Sequence, residues 1–532
     1  MSAPGMISEG EAYGILLGSL GVFAGVAVAA AFFVYKGVKD KGAEGADFWY
    51  SARGSQGWLS LGLSFFASSM GAWVIFAAPE TGYYFHWYGV FGYAIASTMP
   101  YLVLLYLGPE VRKKYANGFC LTDWVKQRFG RATQLYVAVI SVFYMWIYLV
   151  AELTSMGTLA ATFSGLDPLT AVIPVALVTM LYTMAAGLPA SIWTDRAQGV
   201  IMSIFIVIVF FACISDLSIK PEAWSTVATW DDAGFEAAWT LILAIIGAGL
   251  FDMGSWQRVY SSVDDKQLRY GLLFGSALIF PTMVLFGFLG MLAKAQDLSR
   301  ATPTIAYGFL ALFDLLAAQS GFILCLSFAL AVCMVASSVD SLQNGLISVV
   351  SKDVTAQNYS PVVTTGVGQL FVLAANVPAI ILAAESGKDE TGGLGISILN
   401  LFLIADLLLL SITVPIFLGL WSMATQNGAL AGCFSGILTI FAFGWVEFGT
   451  FMAGLEMVTL MAFGNTMPEK FGLQASRTTI LFTVLPIVTG CVTLIVSFME
   501  RFYEKVERLL AKLEGQSPSS ADAIANTGSA TL

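Results

Sequence analysis

The stretch "VASSVDSLQNG", Val335–Gly345, follows directly on "GFILCLSFALAVCM", Gly321–Met334. The apolar run demands lipid or packed protein around it, yet Ser337, Ser338, Asp340 and Ser341 arrive with no turn signal in between. On a continuous helix Ser337 and Ser341 stand i, i+4 and Ser338 and Ser341 stand i, i+3, so their hydroxyls share one edge. A single serine in such a helix satisfies itself on its own backbone. Three hydroxyls beside a carboxylate instead form a wet edge, and an edge of oxygens is what a hard cation such as Na⁺ needs.

Working outward, the 532-residue chain is 57% hydrophobic and 11% charged, with a mean hydropathy of +0.78. Soluble domains carry about 25% charged residues, so the chain reads as an all-α polytopic membrane protein embedded in a lipid bilayer. One histidine, His86, and six scattered cysteines are too few and too dispersed for a metal cluster or a paired-thiol motif. The net charge of −10 speaks against nucleic-acid partners. The acidic start "MSAPGMISEGEAYG" has no basic leader, and the first apolar run is expected to remain as a helix.

Apolar windows of membrane-spanning length fall at 13–35, 58–83, 87–108, 132–163, 168–186, 189–215, 235–253, 268–294, 321–350, 361–384, 395–420, 426–448 and 477–500, thirteen in all. A further helix is expected at 304–318, outside the core. With the N-terminus outside and the C-terminus cytoplasmic, nineteen of the 25 basic residues, Arg258 among them, fall on the inner side. The expected organisation is an N-terminal helix and first loop (1–57), two five-helix repeats (58–215 and 216–420), two final spans with an outer segment (421–500), and a cytoplasmic tail (501–532). That tail begins as an amphipathic helix and ends in a disordered segment. No catalytic or receiver domain is expected after it.

Carboxylates at membrane depth cost about 2.5–3.5 kcal/mol each on insertion scales and mark function. Glu152, Asp195, Asp252, Asp340 and Asp406 are such residues, and the partner of Glu152 is not visible in the sequence. Two spans also carry breakers. The second, "SFFASSMGAWVIFAAPETG", combines Ser68, Ser69, Gly71 and Pro79, and the seventh, "AIIGAGLFDMGSWQR", stacks Gly247, Gly249, Asp252 and Gly254. Glycine weakens a helix by about 1 kcal/mol relative to alanine. Interruptions five spans apart predict two inverted repeats, each opening with a broken helix whose freed carbonyls serve an ion near the midplane.

The chain resembles the sodium:solute symporters through "FFASSMGAW", "AGLPASIWTDRAQ" at 186–198, "DMGSWQR" at 252–258 and "ASSVDS" at 336–341. The resemblance implies a core of two inverted five-helix repeats with one helix before it and two after. It implies a sodium site built from carbonyls of Ala67, Met70 and Met334 and hydroxyls of Ser337 and Ser338. A second cation site would use Ser68, Asp195 and Ser341. Asp340 departs from the family's usual hydroxyl and adds a carboxylate for that second cation or for a proton.

For the substrate, the resemblance implies a cavity at Ser69, Trp73, Val74, Gly247, Gly249, Asp252, Asn400 and Asp406. Val74 stands where sugar transporters carry a polar side chain, which argues against sugars. The Gly-rich seventh span is similar to the proline-transporting branch, and "EAYGILLGSLGVFAG", Glu11–Gly25, is similar to the urea-transporting branch of fungi and plants. A carboxylate at 406 suits a solute with N–H donors. The expected function is therefore sodium-coupled import of a small urea- or proline-like solute across the plasma membrane, with sodium as the coupling ion. No organic cofactor, obligate protein partner or enzymatic activity is expected. A proton-coupled carrier, a uniporter on the same scaffold and a nutrient sensor are the alternatives.

Overall fold

The structure, a computed structural model, describes residues 7–39, 44–215, 217–354, 361–386, 398–459, 473 and 476–513. The helices are α1 (Glu9–Lys39), α2 (Glu44–Ser51), α3 (Trp58–Ser69), α4 (Trp73–Lys114), α5 (Leu121–Ser164), α6 (Pro168–Ser215) and α7 (Pro221–Val227). They continue as α8 (Asp232–Gly249), α9 (Met253–Ser261), α10 (Asp265–Leu298), α11 (Ala311–Leu316), α12 (Gly321–Val349) and α13 (Pro361–Ser386). The last four are α14 (Ile398–Phe417), α15 (Gln426–Phe448), α16 (Phe451–Thr459) and α17 (Ser476–Leu513). Among the described residues there is no strand, only an isolated bridge between Gln56 and Ser262. Ten helices there are long and apolar enough to cross a membrane.

Several expected spans are joined in longer helices, each divided by one non-helical residue. His86 (φ 52°, ψ −135°) separates the halves of α4, at the edge between the windows 58–83 and 87–108. Its ring is held by Thr229 (2.8 Å) and Asp231 (3.2 Å). Gly187 (φ 62°) divides α6 between 168–186 and 189–215, a left-handed position that glycine adopts without strain. The expected helix at 304–318 is the short α11 preceded by a 3₁₀ turn, Gly308–Leu310. The thirteenth window and the amphipathic start of the tail form one helix, α17, while the expected disordered end of the tail lies outside the described residues.

Close packing of small residues positions the core. A Cβ on Gly82 would lie 1.9 Å from the carbonyl oxygen of Gly287, and one on Gly290 would lie 1.9 Å from that of Pro79. The backbones of α4 and α10 therefore touch, as small-residue interfaces allow in a membrane. α12, buried along nearly its whole length from Leu324 to Val349, runs through the centre.

Candidate functional site

The first interruption lies between α3 and α4. α3 ends at Ser69, Met70 is non-helical (φ −101°, ψ 83°), and α4 restarts at Trp73 behind Ala72. The restart has no cap from its own side chains. Its cap comes from α5: Glu152 Oε2 accepts the Ala72 N–H at 3.1 Å. Gly71 permits this approach, since a Cβ there would fall 1.6 Å from Glu152 Oε1. Glu152 is fully buried, and Oε1 has no hydrogen-bond partner among the described residues.

The second interruption lies between α8 and α9 and is built differently. Asp252 (φ −68°, ψ 108°) caps α9 itself, accepting from Gly254 N (3.1 Å), Ser255 N (2.9 Å) and Ser255 Oγ (2.6 Å). The freed Leu250 carbonyl accepts the Trp256 indole N–H at 2.8 Å. Gly249 packs on Pro100 of α4, where a Cβ would meet the ring at 2.6 Å.

The wet edge of α12 lies between these breaks. Ser337 Oγ donates to Asp195 Oδ1 at 2.7 Å, and Ser338 Oγ to the Ser68 carbonyl at 3.4 Å. Ser341 Oγ donates to Asp340 Oδ1 at 3.2 Å and accepts from Arg258 Nη2 at 2.7 Å. Met334 sits one turn before Ser337 and Ser338, fully buried, and Ala67 is fully buried at the end of α3. The structure thus gathers Ala67, Met70, Ser338 and Glu152 around the first break.

Arg258 is the main correction to the sequence reading. Expected on the inner face, it is buried, with 1% of its side chain exposed, and it pairs with the wholly buried Asp195 at 2.7 Å. Its remaining N–H groups reach Ser64 Oγ (2.7 Å), the Gly254 carbonyl (2.9 Å) and Ser341 Oγ. A guanidinium this well supplied with acceptors tolerates burial that a lone charge does not. Two of the residues expected to hold a second cation, Asp195 and Ser341, therefore bind a resident one. The Ser68 hydroxyl bonds the Phe65 carbonyl on its own helix at 3.4 Å. Asp340 is surrounded by hydroxyls: besides Ser341, Tyr182 (3.0 Å), Ser191 (3.0 Å) and Thr194 (3.2 Å) donate to it.

A cavity opens between the two breaks, α5 and α14. Of the expected substrate residues, Ser69, Trp73, Gly249, Asp252 and Asp406 line it. Val74 and Gly247 do not. Val74 is fully buried in the core, and Gly247 abuts Leu410 and Thr413 of α14. Asn400 lies on α14, and its side chain is outside the described residues. The aromatic wall continues from the expected Trp73 into residues the sequence reading did not single out: Trp73 meets Tyr93 (5.5 Å) and Phe402 (5.9 Å), and Phe402 meets Tyr148 (4.6 Å), which meets Tyr144 (5.6 Å). Tyr144 and Tyr148 stand i, i+4 on α5, the spacing that could have revealed them in the sequence. The carboxylate of Asp406 faces this cavity with no hydrogen-bond partner among the described residues, and no lysine, arginine or histidine lines the wall.

The profile of the sodium:solute symporter family matches residues 49–436. The chain belongs to the sodium:solute symporter family. It is 29% identical over 423 residues to a spermidine transporter of Candida albicans, covering 77% of each chain. It is 22% identical over 411 residues to a high-affinity proline transporter of Bacillus subtilis, covering 72% of this chain and 80% of the relative. The fold is that of a Na⁺-coupled sialic acid symporter solved in a substrate-bound outward-open state, with a TM-score of 0.69 at 17% identity over 92% of this chain and 98% of that one. This symporter-family chain is a multi-pass membrane transporter of a small solute, not an enzyme.

Proposed function

We propose that the protein is a sodium-driven importer of a small nitrogenous solute, best matched by a protonated organic amine. The observation that carries this reading is Asp406: a carboxylate in an aromatic-walled cavity that Asp252 also lines, without a hydrogen-bond partner among the described residues. Aromatic faces and carboxylates together bind ammonium groups through cation–π and charge-assisted contacts. A proline-like zwitterion would find no basic side chain among the described residues of the wall for its carboxylate, whereas urea satisfies the N–H requirement without the charge. The likeness to a relative named as a spermidine transporter supports the amine.

In this reading the coupling ion binds at the first break, to carbonyls of Ala67, Met70 and Met334 and hydroxyls of Ser337 and Ser338. Arg258 supplies the positive charge that a second ion would otherwise bring to Asp195 and Ser341, so one ion is coupled per cycle. One Na⁺ and one singly protonated amine moving inward together draw about 4.6 kcal/mol per 100 mV. Ion and solute need only prefer the same closed state for the coupling to follow. Thirteen crossings, two inverted repeats each opening on a broken helix, an outside N-terminus and a plasma-membrane setting complete the proposal. They are supported by the two interruptions and by the divisions of α4 and α6 at the expected span edges.

The test is uptake of labelled spermidine, urea and proline into proteoliposomes, with and without an inward Na⁺ gradient, for wild type and Ser337→Ala/Ser338→Ala. Sodium-driven amine uptake that the double variant loses is the expected result. Flux indifferent to sodium would overturn the coupling, and uptake of proline alone would overturn the amine.

A further inference from the structure

The sodium site implied by the family resemblance is made of neutral oxygens only, carbonyls and hydroxyls. Beside it the structure holds a carboxylate that the mechanism above does not use. We propose that Glu152 is a direct, anionic ligand of the coupling ion at the first break, with Oε1 as its ligand atom. This inference rests on the sodium reading of that break.

Three observations converge on it. Oε2 is committed to the Ala72 N–H at 3.1 Å, while Oε1 is buried and has no hydrogen-bond partner among the described residues. A buried carboxylate oxygen left without a partner is costly, and the cost is relieved when a cation occupies the space beside it. Oε1 also lies flush on Gly71, inside the break itself, where any side chain at 71 would displace it. Finally, the Ser338 hydroxyl of α12 donates to the Ser68 carbonyl at the end of α3, and Glu152 of α5 accepts the Ala72 N–H four residues on, so α12 and α5 both bring oxygens to the same interruption.

A helix-capping role alone does not account for this arrangement. Where this protein caps a restarted helix for structure, at Asp252, the carboxylate accepts three donors with its two oxygens. Glu152 accepts the Ala72 N–H with one oxygen and keeps the other unspent. Anionic oxygens raise the affinity of a site for a hard cation over neutral ones, so the carboxylate has a direct consequence for ion binding. With the Asp195–Arg258 pair internally neutral, Glu152 is a carboxylate bonded to the first break itself and paired with no cation among the described residues.

The test is equilibrium binding of radiolabelled sodium to the purified full-length protein, comparing wild type, Glu152→Gln, Glu152→Asp and Ser337→Ala/Ser338→Ala. Glu152→Gln is expected to weaken sodium binding about 10- to 100-fold. Its melting temperature in sodium-free buffer should hold, because the amide oxygen still accepts the Ala72 N–H. Glu152→Asp, which keeps the charge and shortens the reach, should fall between the two, and it decides the matter if the glutamine variant does not fold. Wild-type sodium affinity in the Glu152 variants, with binding lost in the double serine variant, would overturn the role of Glu152 and leave the sodium site standing. Absence of sodium binding in the wild type would overturn both.

Discussion

The two interrupted helices look alike in sequence and differ in how they are completed. At the second break the N-terminal N–H groups of α9 at Gly254 and Ser255 and the freed Leu250 carbonyl are answered nearby. Asp252 caps α9, Trp256 takes the Leu250 carbonyl, and Arg258, two turns on, closes a network with Asp195, Ser64 and Ser341. At the first break the cap is borrowed from a distant helix, and an oxygen is left over. A break that satisfies itself is architecture, whereas a break with surplus oxygens is ready for a ligand. Buried polar groups are nearly always paired, so the exception is where function is most economically sought.

Breaking the second network should have the largest effect. Arg258→Met leaves Asp195 buried without its cation, which is expected to cost about 3–5 kcal/mol of stability, read as a lower melting temperature in detergent. The double variant Asp195→Asn/Arg258→Met should recover most of that loss, because the uncompensated charge is gone. A double variant no more stable than Arg258→Met would mean that packing, not charge pairing, holds this region.

Next comes the cavity between the breaks. Asp406→Asn removes the charge offered to an amine, a charge-assisted hydrogen bond worth about 1.5–3 kcal/mol, so the apparent KM for the solute should rise about 10- to 100-fold with sodium affinity unchanged. An unaltered KM for spermidine would remove Asp406 from the substrate site.

Asp252→Ala sharpens the contrast between the breaks. It should cost about 1 kcal/mol through the lost cap while leaving sodium affinity as in the wild type. Gly71→Ala should differ in its effect on sodium. The obstructing atoms are the far end of a flexible glutamate, so the stability cost should lie at the low end of overpacking, about 1 kcal/mol, while sodium binding weakens as the carboxylate is pushed aside. If the two variants exchange these signatures, the distinction between an architectural and a ligand-binding break fails.

Much of the fold was legible because membrane burial leaves a strong local mark. Apolar windows of spanning length, Gly71 and Gly249 within them, and the hydroxyl edge at Ser337, Ser338 and Ser341 are all properties of adjacent residues. The motif "WTDRAQ" and the serine edge pointed to the family that the profile match establishes. The site was legible where its residues lie on a motif and at Asp406, where a carboxylate inside an apolar span marks itself. Arg258 was misread because its neighbours resemble a loop. A basic residue just beyond an apolar run has the same local signature whether it faces water or a buried aspartate 63 positions away. Tyr93 and Phe402 carry no signal at all, since an aromatic residue in a membrane helix is as well suited to lipid as to a cavity.

By itself, then, the sequence determined that the chain is a bundle of membrane helices, where two of them break, and which hydroxyls line the central helix. These follow from hydropathy, glycine content and helical spacing, which act over a few residues. Only the tertiary structure decided which carboxylates are answered. Glu152 meets Ala72 across 80 positions and Asp195 meets Arg258 across 63. Whether a buried charge is paired depends on what another helix brings to it, and that is a property of packing rather than of order along the chain.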